Sequence, residues 1–179
     1  MTAVSRIFTI MAIFDAPAAT PPQRWRDVIY PLTMHPEQVP DPSIPADFVW
    51  QAAPQGVADF LTSLGGARLV SDRVREVVEP FDTGEIVWLP VTVRTDGGDL
   101  LSYWFVHYPK PRDVFDVEST TYGPSGLPIR WVVDLAKVQE TPVFMVPGTS
   151  FEVFLVHPEV KDALLAAGVT GMDVRRTRT

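Results

Sequence analysis

Asp113, Asp116 and Glu118 stand within six positions of one another in the run RDVFDVES. Carboxylates so close together can hold a hard cation or divide the work of acid and base between them. A calcium loop, however, needs more oxygen donors at tighter regular spacing and a glycine to bend it, and this run has neither, so it reads as a solvated acidic edge. Histidine, the commonest general base and metal ligand, occurs three times, as His35, His107 and His157. No two of them have the i, i+4 spacing of a helical metal site. His107 falls in an expected strand, and His157 immediately precedes an expected helix. No G-x-S-x-G motif raises a nucleophilic serine; Ser125, in YGPSGLP, reads as part of a surface turn. Gly65-Gly66 and Gly97-Gly98 lack the spacing and the lysine of a phosphate loop. Cysteine is absent, which removes disulfides, thiolate metal sites and the thiolate nucleophile. By elimination the residues favour a binding protein with no cofactor and no metal. An enzyme built on Asp113 and Asp116 with one of the histidines is the alternative.

The bulk properties point the same way. Hydrophobic residues make up 46% and charged residues 21%, values typical of a folded globular chain. At 179 residues the chain suits a single domain, 1–179, with an adequate core. Its net charge of −7 and pI near 4.9 repel phosphate backbones and anionic headgroups, so neither nucleic acid nor membrane is expected as a direct ligand. A basic protein is a better partner. No stretch approaches the roughly 20 apolar residues of a membrane-spanning helix. MTAVSRIFTIMAIFDAPAAT imitates a short signal peptide, but Asp15 and the single Arg6 weaken the imitation, and Ile7, Phe8, Ile10 and Ile13 suit a buried first strand. A cytoplasmic location is expected.

The elements that must carry these residues follow from periodicity. Nine prolines between Pro17 and Pro54 predict an extended or irregular arm that wraps over the domain, so that residues 1–57 form a strand plus a Pro-rich segment. Ala58–Leu64 is expected to form a short helical turn stopped by Gly65-Gly66. Ser71 then caps a helix with Val70, Val74, Val77 and Val78 on one face and Arg73, Arg75, Glu76 and Glu79 on the other. EIVWLPVTVRTDGGDLLSYWFVHYPK predicts a hairpin turning at Asp96-Gly97-Gly98-Asp99, with Pro90 marking an edge or a bulge. Leu127–Leu135, Pro142–Val146 and Phe151–Val156 are further expected strands. A second helix follows His157, with Val160, Ala163, Leu164 and Ala167 inward and Gly168 as terminator. TGMDVRRT closes the chain as a short strand or tail. Trp88, Trp104 and Trp131 are expected in strands, packed rather than binding a ligand. The fold class is α+β: a mostly antiparallel sheet with two or three helices packed on one face and a Pro-rich N-terminal arm.

Three segments taken in order, RLVSDRVREVVEPFDTGEIVWLPVTV, YWFVHYPKPRDVFDVESTTY and PVFMVPGTSFEVFLVHPEVKDALLAAGVTGMDV, resemble immunity-protein family eleven of bacterial polymorphic toxin systems. The matching features are Val70-Ser71 at the helix start, the proline of WLPV, the aromatic strand that feeds an aspartate-containing turn, and the final strand–helix–GVTGMDV succession. The resemblance spans residues 60–175, so 58–175 is a family-like core; the N-terminal third finds no counterpart in it. It implies a protein that binds and neutralises a cognate toxin, and it transfers no catalytic residue. An immunity protein that works by occlusion needs a surface, and negative charge steers a basic partner into fast encounter. The candidate contacts are therefore Asp82, Glu85, Asp96, Asp99, Asp113, Asp116 and Glu118 in turns and edges, beside Tyr108 and Tyr122 as exposed aromatic anchors. Self-association through a sheet edge, giving a homodimer, is the other way such a chain would work.

Overall fold

A computed structural model describes residues 3–12, 18–22, 27, 31–32, 38, 49–53, 56–63, 68–110, 112–146 and 154–179. The strands are β1 (Phe8–Ala12), β2 (Ala18–Thr20), β3 (Val49–Ala52), β4 (Phe60–Ser63), β5 (Leu69–Ser71), β6 (Val87–Arg94), β7 (Leu100–His107), β8 (Thr121–Tyr122), β9 (Pro128–Arg130), β10 (Val143–Phe144), β11 (Phe154–Val156) and β12 (Met172–Arg176). The two α-helices with defined bounds are α1 (Asp72–Val78) and α2 (Pro158–Ala166), and short 3-10 turns occupy Glu79–Phe81 and Leu135–Val138. The class is α+β, but the strands do not make one mostly antiparallel sheet. They divide into a closed barrel of order β2-β3-β6-β7-β5-β4, a four-stranded sheet β10-β11-β1-β12 and a two-stranded ribbon β8-β9. The four-stranded sheet is antiparallel throughout, whereas the barrel includes parallel pairs, Ala18 opposite Thr62 and Val49 opposite Thr92.

Period-two alternation explains why both sheets are covered on both faces. Leu61, Leu69, Val91, Val93, Tyr103 and Phe105 fill the barrel with Ala19, Trp50 and Ala52. Their strand neighbours Phe60, Val70 and Val106 face outward and meet Ile10, Phe154 and Val156 of the four-stranded sheet. Both helices supply that same layer, α1 with Val74 and Val78 and α2 with Val160 and Leu164. The opposite face of the sheet, carrying Ile7, Phe144 and Leu155, is closed by Val114, Phe115, Val133 and Val138. The expected first strand is thus β1, paired on both sides, with Ile7 and Ile10 fully buried.

Two expectations need correction. Ala58–Leu64 is not a helical turn: Phe60–Ser63 is extended, because Phe60 and Leu61 serve opposite faces of the barrel wall, a two-residue alternation that a helix cannot provide. Leu64 and Gly65-Gly66 lie outside the described residues. The Pro-rich stretch is more than a wrapping arm. Its two ends are barrel strands β2 and β3, with Trp50 and Ala52 buried inside, and Asp27, Pro31 and Leu32 have helical backbone. Arg75, on the face of α1 away from Val74 and Val78, also packs against the barrel. Its guanidinium lies 4.0 Å from the Trp104 ring centroid and 5.9 Å from that of Trp88, and it pairs with Glu79 at 2.9 Å. Trp88 and Trp104 are accordingly half-buried on the barrel's outer wall, with Trp104 Nε1 donating to Asp72 at 2.5 Å, whereas Trp131, expected in a strand, lies just past β9 and packs against the cluster of Ile7, Phe144 and Leu155.

The helix signals hold in detail. Ser71 Oγ accepts from the Val74 amide at 3.4 Å. At the end of α2, Gly168 has φ +67, and the amides of Gly168 and Val169 donate to Leu165 and Leu164 in a Schellman motif, with Val169 and Leu164 in one apolar cluster. Ala167, expected inward, is exposed. In the β6–β7 turn only Gly98 needs positive φ, at +91. Pro90 faces β7 in unbroken register, and β3 pairs with β6 only from Thr92 onward. The proline therefore sits on the stretch of strand with one partner among the described residues, as an edge requires. The strand expected over Leu127–Leu135 is shorter, Pro128–Arg130.

His157 is a buried residue at the helix start, and its Nε2 lies 2.8 Å from the Val138 carbonyl. A carbonyl only accepts, so Nε2 carries the proton. Burial holds the imidazole below its ordinary value of 6.5, against the opposing pull of the Val138 bond and Glu159. The unfolded chain therefore binds the extra proton first, and stability falls as pH drops through 6.5 towards the folded value. Urea midpoints measured between about pH 8 and about pH 5 should decline for the wild type, and His157→Gln should remove that part of the decline.

Candidate partner-binding surface

The nine candidate contacts do not form one patch. Asp96 and Asp99 are exposed at the β6–β7 turn. Asp82 and Glu85 precede the other end of β6, a strand of eight residues that spans roughly 25 Å. The two acidic groups are therefore at opposite ends of the hairpin. Asp82 accepts from the amides of Glu85 and Ile86 at 3.1 and 3.3 Å, which closes the turn into β6. Glu85 takes Arg112 through Nη2 and through Nε, 3.1 Å from each carboxylate oxygen. That pair fixes the base of the segment carrying Asp113, Asp116, Glu118 and Tyr122.

Tyr108 corrects the sequence reading. It was expected exposed, but it is 2% exposed and belongs to the layer between barrel and sheet. Alternation past His107 sends its ring inward onto Phe154, with centroids 6.3 Å apart. Burial, reinforced by the charge of Asp82, pushes its hydroxyl well above the usual value. It cannot reach a partner.

Residues 113–133 form one continuous ribbon. Phe115 bridges Val133, the Asp116 amide donates to Val132 O at 2.9 Å, the Asp134 amide donates to Val114 O at 2.9 Å, and β8 pairs with β9 beyond them. Asp116 shapes the bend: its carboxylate accepts from Ser119 Oγ at 2.9 Å and from the Glu118 and Ser119 amides at 3.0 and 3.1 Å. Those bonds, the Ser119 hydroxyl foremost, hold its carboxyl below the usual carboxylate range, so it stays ionised. Asp113 caps the Phe115 amide at 3.3 Å and lies 3.7 Å from Lys137 Nζ. Glu118 is exposed.

Besides Tyr122, expected exposed, the ribbon exposes three apolar side chains that were not among the candidate contacts, Val117, Leu127 and Ile129. Of the seven large hydrophobic residues exposed among the described residues, four lie here: Ile129 at 71%, Val117 at 65%, Leu127 at 52% and Tyr122 at 41%. Covering the apolar area they still expose would contribute about 25 cal/mol per Å², which the folded chain by itself leaves unrealised. Concentrated exposure of this kind marks interaction sites more than scattered single residues do. The available signal was the placement of Tyr122, Leu127 and Ile129 on either side of a Gly-Pro-Ser-Gly turn, too short a hairpin to bury them.

The groups that an acid–base or metal site would need are engaged elsewhere. His107 is buried on the barrel side, stacked on Phe105 with Nε2 3.0 Å from Gln38 O, and His157 holds Val138. Asp113 and Asp116 face solvent on the ribbon or its base. Among the described residues no three His, Asp or Glu side chains gather as a metal site requires, and no helix is long and apolar enough to cross a membrane. His35 and Trp25 lie outside the described residues.

A search of curated proteins finds no match to the chain. The family profile described as immunity protein family (Imm11) matches residues 15–179. The match extends the resemblance through the Pro-rich third, where β2 and β3 complete the barrel. With all but the first fourteen residues matched, the chain belongs to the Imm11 immunity protein family.

Proposed function

We propose that this chain is a non-enzymatic immunity protein that binds a cognate bacterial toxin in the cytoplasm and blocks it by occlusion. The observation that carries the reading is family membership over residues 15–179. The chain's balance of charge, −7, favours a basic toxin, such as one that acts on nucleic acid, and the same charge speeds their encounter. The exposed ribbon supplies unburied apolar area beside carboxylates, the composition of an interface core and its rim. The layer shared by barrel and sheet supports treating the chain as one folding unit, expected to unfold in a single cooperative transition.

Co-expression tests the function. The toxin encoded by the reading frame beside this gene should arrest cell growth alone, and growth should return when this chain is made with it. Continued arrest, with the chain shown to be folded and abundant, would count against the proposal.

A further inference from the structure

We infer that the 113–133 ribbon is the docking arm: Val117, Tyr122, Leu127 and Ile129 enter an apolar cleft on a basic protein, while Asp113, Asp116 and Glu118 meet the cationic rim of that cleft. This inference rests on the immunity reading and assigns it a surface.

The arm is anchored at one end and unsupported at the other. Val114, Phe115, Val133 and Val138 are sunk into the outer face of the four-stranded sheet, so the base is as rigid as the core. From residue 121 to residue 130 every position is exposed or half-exposed, and β8 and β9 pair only with each other among the described residues. Leu127 and Ile129 at that tip belong to none of the chain's buried clusters.

The tip is nevertheless ordered for binding. The Gly123 amide donates to Leu127 O at 2.8 Å and the Gly126 amide to Gly123 O at 2.9 Å, with Gly126 at φ +76. Ile129 lies across Gly123 so closely that a Cβ there would come within 3.2 Å of its Cδ1. Tyr122 stands edge-on to Phe115, with centroids 6.5 Å apart, which ties its ring to the buried base. A surface already fixed in shape loses little freedom on association.

Charge selects the occupant. Residues 113–133 carry three carboxylates against the single cation Arg130, a local balance of −2. A second copy of the chain would bring the same sign on its arm and a total of −7 on its body, so a basic partner fits and a self-complementary contact does not.

The probe is the toxin encoded beside this gene, prepared in a catalytically silenced form and titrated into the purified chain. Ile129→Asp and Leu127→Asp should each weaken binding by roughly 30-fold or more. Leu100→Asp, an exposed apolar position at the far hairpin turn, should change it by less than about twofold. Glu118→Gln should slow association and flatten its salt dependence while leaving dissociation nearly unchanged. These positions are solvent-exposed, so the thermal midpoints of the variants should match the wild type and separate lost binding from lost folding. Tight wild-type binding that survives the Leu127→Asp/Ile129→Asp pair would overturn the arm and leave the immunity reading intact. Absence of any wild-type binding or rescue would overturn both. A dimer seen by light scattering and dissolved by Ile129→Asp would assign the arm to a second copy and overturn the toxin as occupant.

Discussion

Gly171→Ala should destabilise the fold by about 3–5 kcal/mol, one of the largest losses available from a single methyl group. Gly171 leads into β12 at φ +76, a left-handed conformation that costs a residue bearing Cβ about 1–2 kcal/mol. The rest of the loss is steric. A Cβ at this position would come within 2.6 Å of both the Phe60 carbonyl oxygen and the Ala58 Cβ. Backbone on a barrel strand has no rotamer to move aside, and the neighbouring Phe60 amide is bonded to Thr170 O at 3.1 Å, so relief means separating β4 from the start of β12. Gly126 supplies the control. It has the same φ of +76 but nothing within 4 Å of the corresponding Cβ, so Gly126→Ala should cost only the backbone share, about 1–2 kcal/mol. Thermal unfolding reads the difference: at roughly 2–4 °C per kcal/mol for a chain of this size, Gly171→Ala should lower the midpoint by about 10 °C and Gly126→Ala by only a few degrees. Equal shifts would show that the contact at β4 is soft.

The same junction marks the limit of what can be read from the chain in order. Elements made by local interactions were legible: Ser71 and its helix, the β6–β7 hairpin, and the helix ended by Gly168 all depend on residues within a few positions of one another. Barrel closure was not. It brings Ala18 beside Thr62 and Val49 beside Thr92, pairings between short strands whose partners no local pattern specifies. Residues 58–64 failed for a related reason: a run of two or three apolar side chains fits either period, and only the neighbouring strands β2 and β5 decide for the extended form. The candidate surface shows the same division. Acidic turn residues could be recognised by type, but whether an aromatic points in or out depends on packing, so Tyr108 was misplaced while Leu127 and Ile129, ordinary core residues by type, turned out to be exposed.

Asp59→Ala should cost about 2–4 kcal/mol, and the loss should depend on pH in wild type as well. The Asp59 carboxylate accepts from Ser71 Oγ at 2.6 Å, from the Thr170 amide at 2.9 Å and from Thr170 Oγ1 at 2.8 Å, with Arg73 at 3.6 Å. One side chain therefore ties the approach to β4 to the cap of α1 and to the loop before β12. Alanine leaves those donors without their acceptor. Partial burial pushes the carboxyl upward, but the Ser71 and Thr170 bonds and the Arg73 charge outweigh it and hold the group below its ordinary 3.8. Because the unfolded chain takes up this proton first, the stabilisation is complete above 3.8 and is lost as pH falls towards the folded value. That loss begins below 3.8, whereas the one expected for His157 begins below 6.5, so a pH series of urea midpoints with the His157→Gln and Asp59→Asn variants tells the two contributions apart. Asp59→Asn, which keeps the shape but has one acceptor and no titration, should be destabilised at neutral pH and should flatten the profile in the acid window alone. Asp59 and Gly171 act on the same seam, so their double variant should lose less than the sum of the two single losses, while Asp59→Ala with Gly126→Ala should be additive within about 0.5 kcal/mol. Additivity at the seam itself would mean that the carboxylate latch and the close approach of Gly171 to β4 act independently.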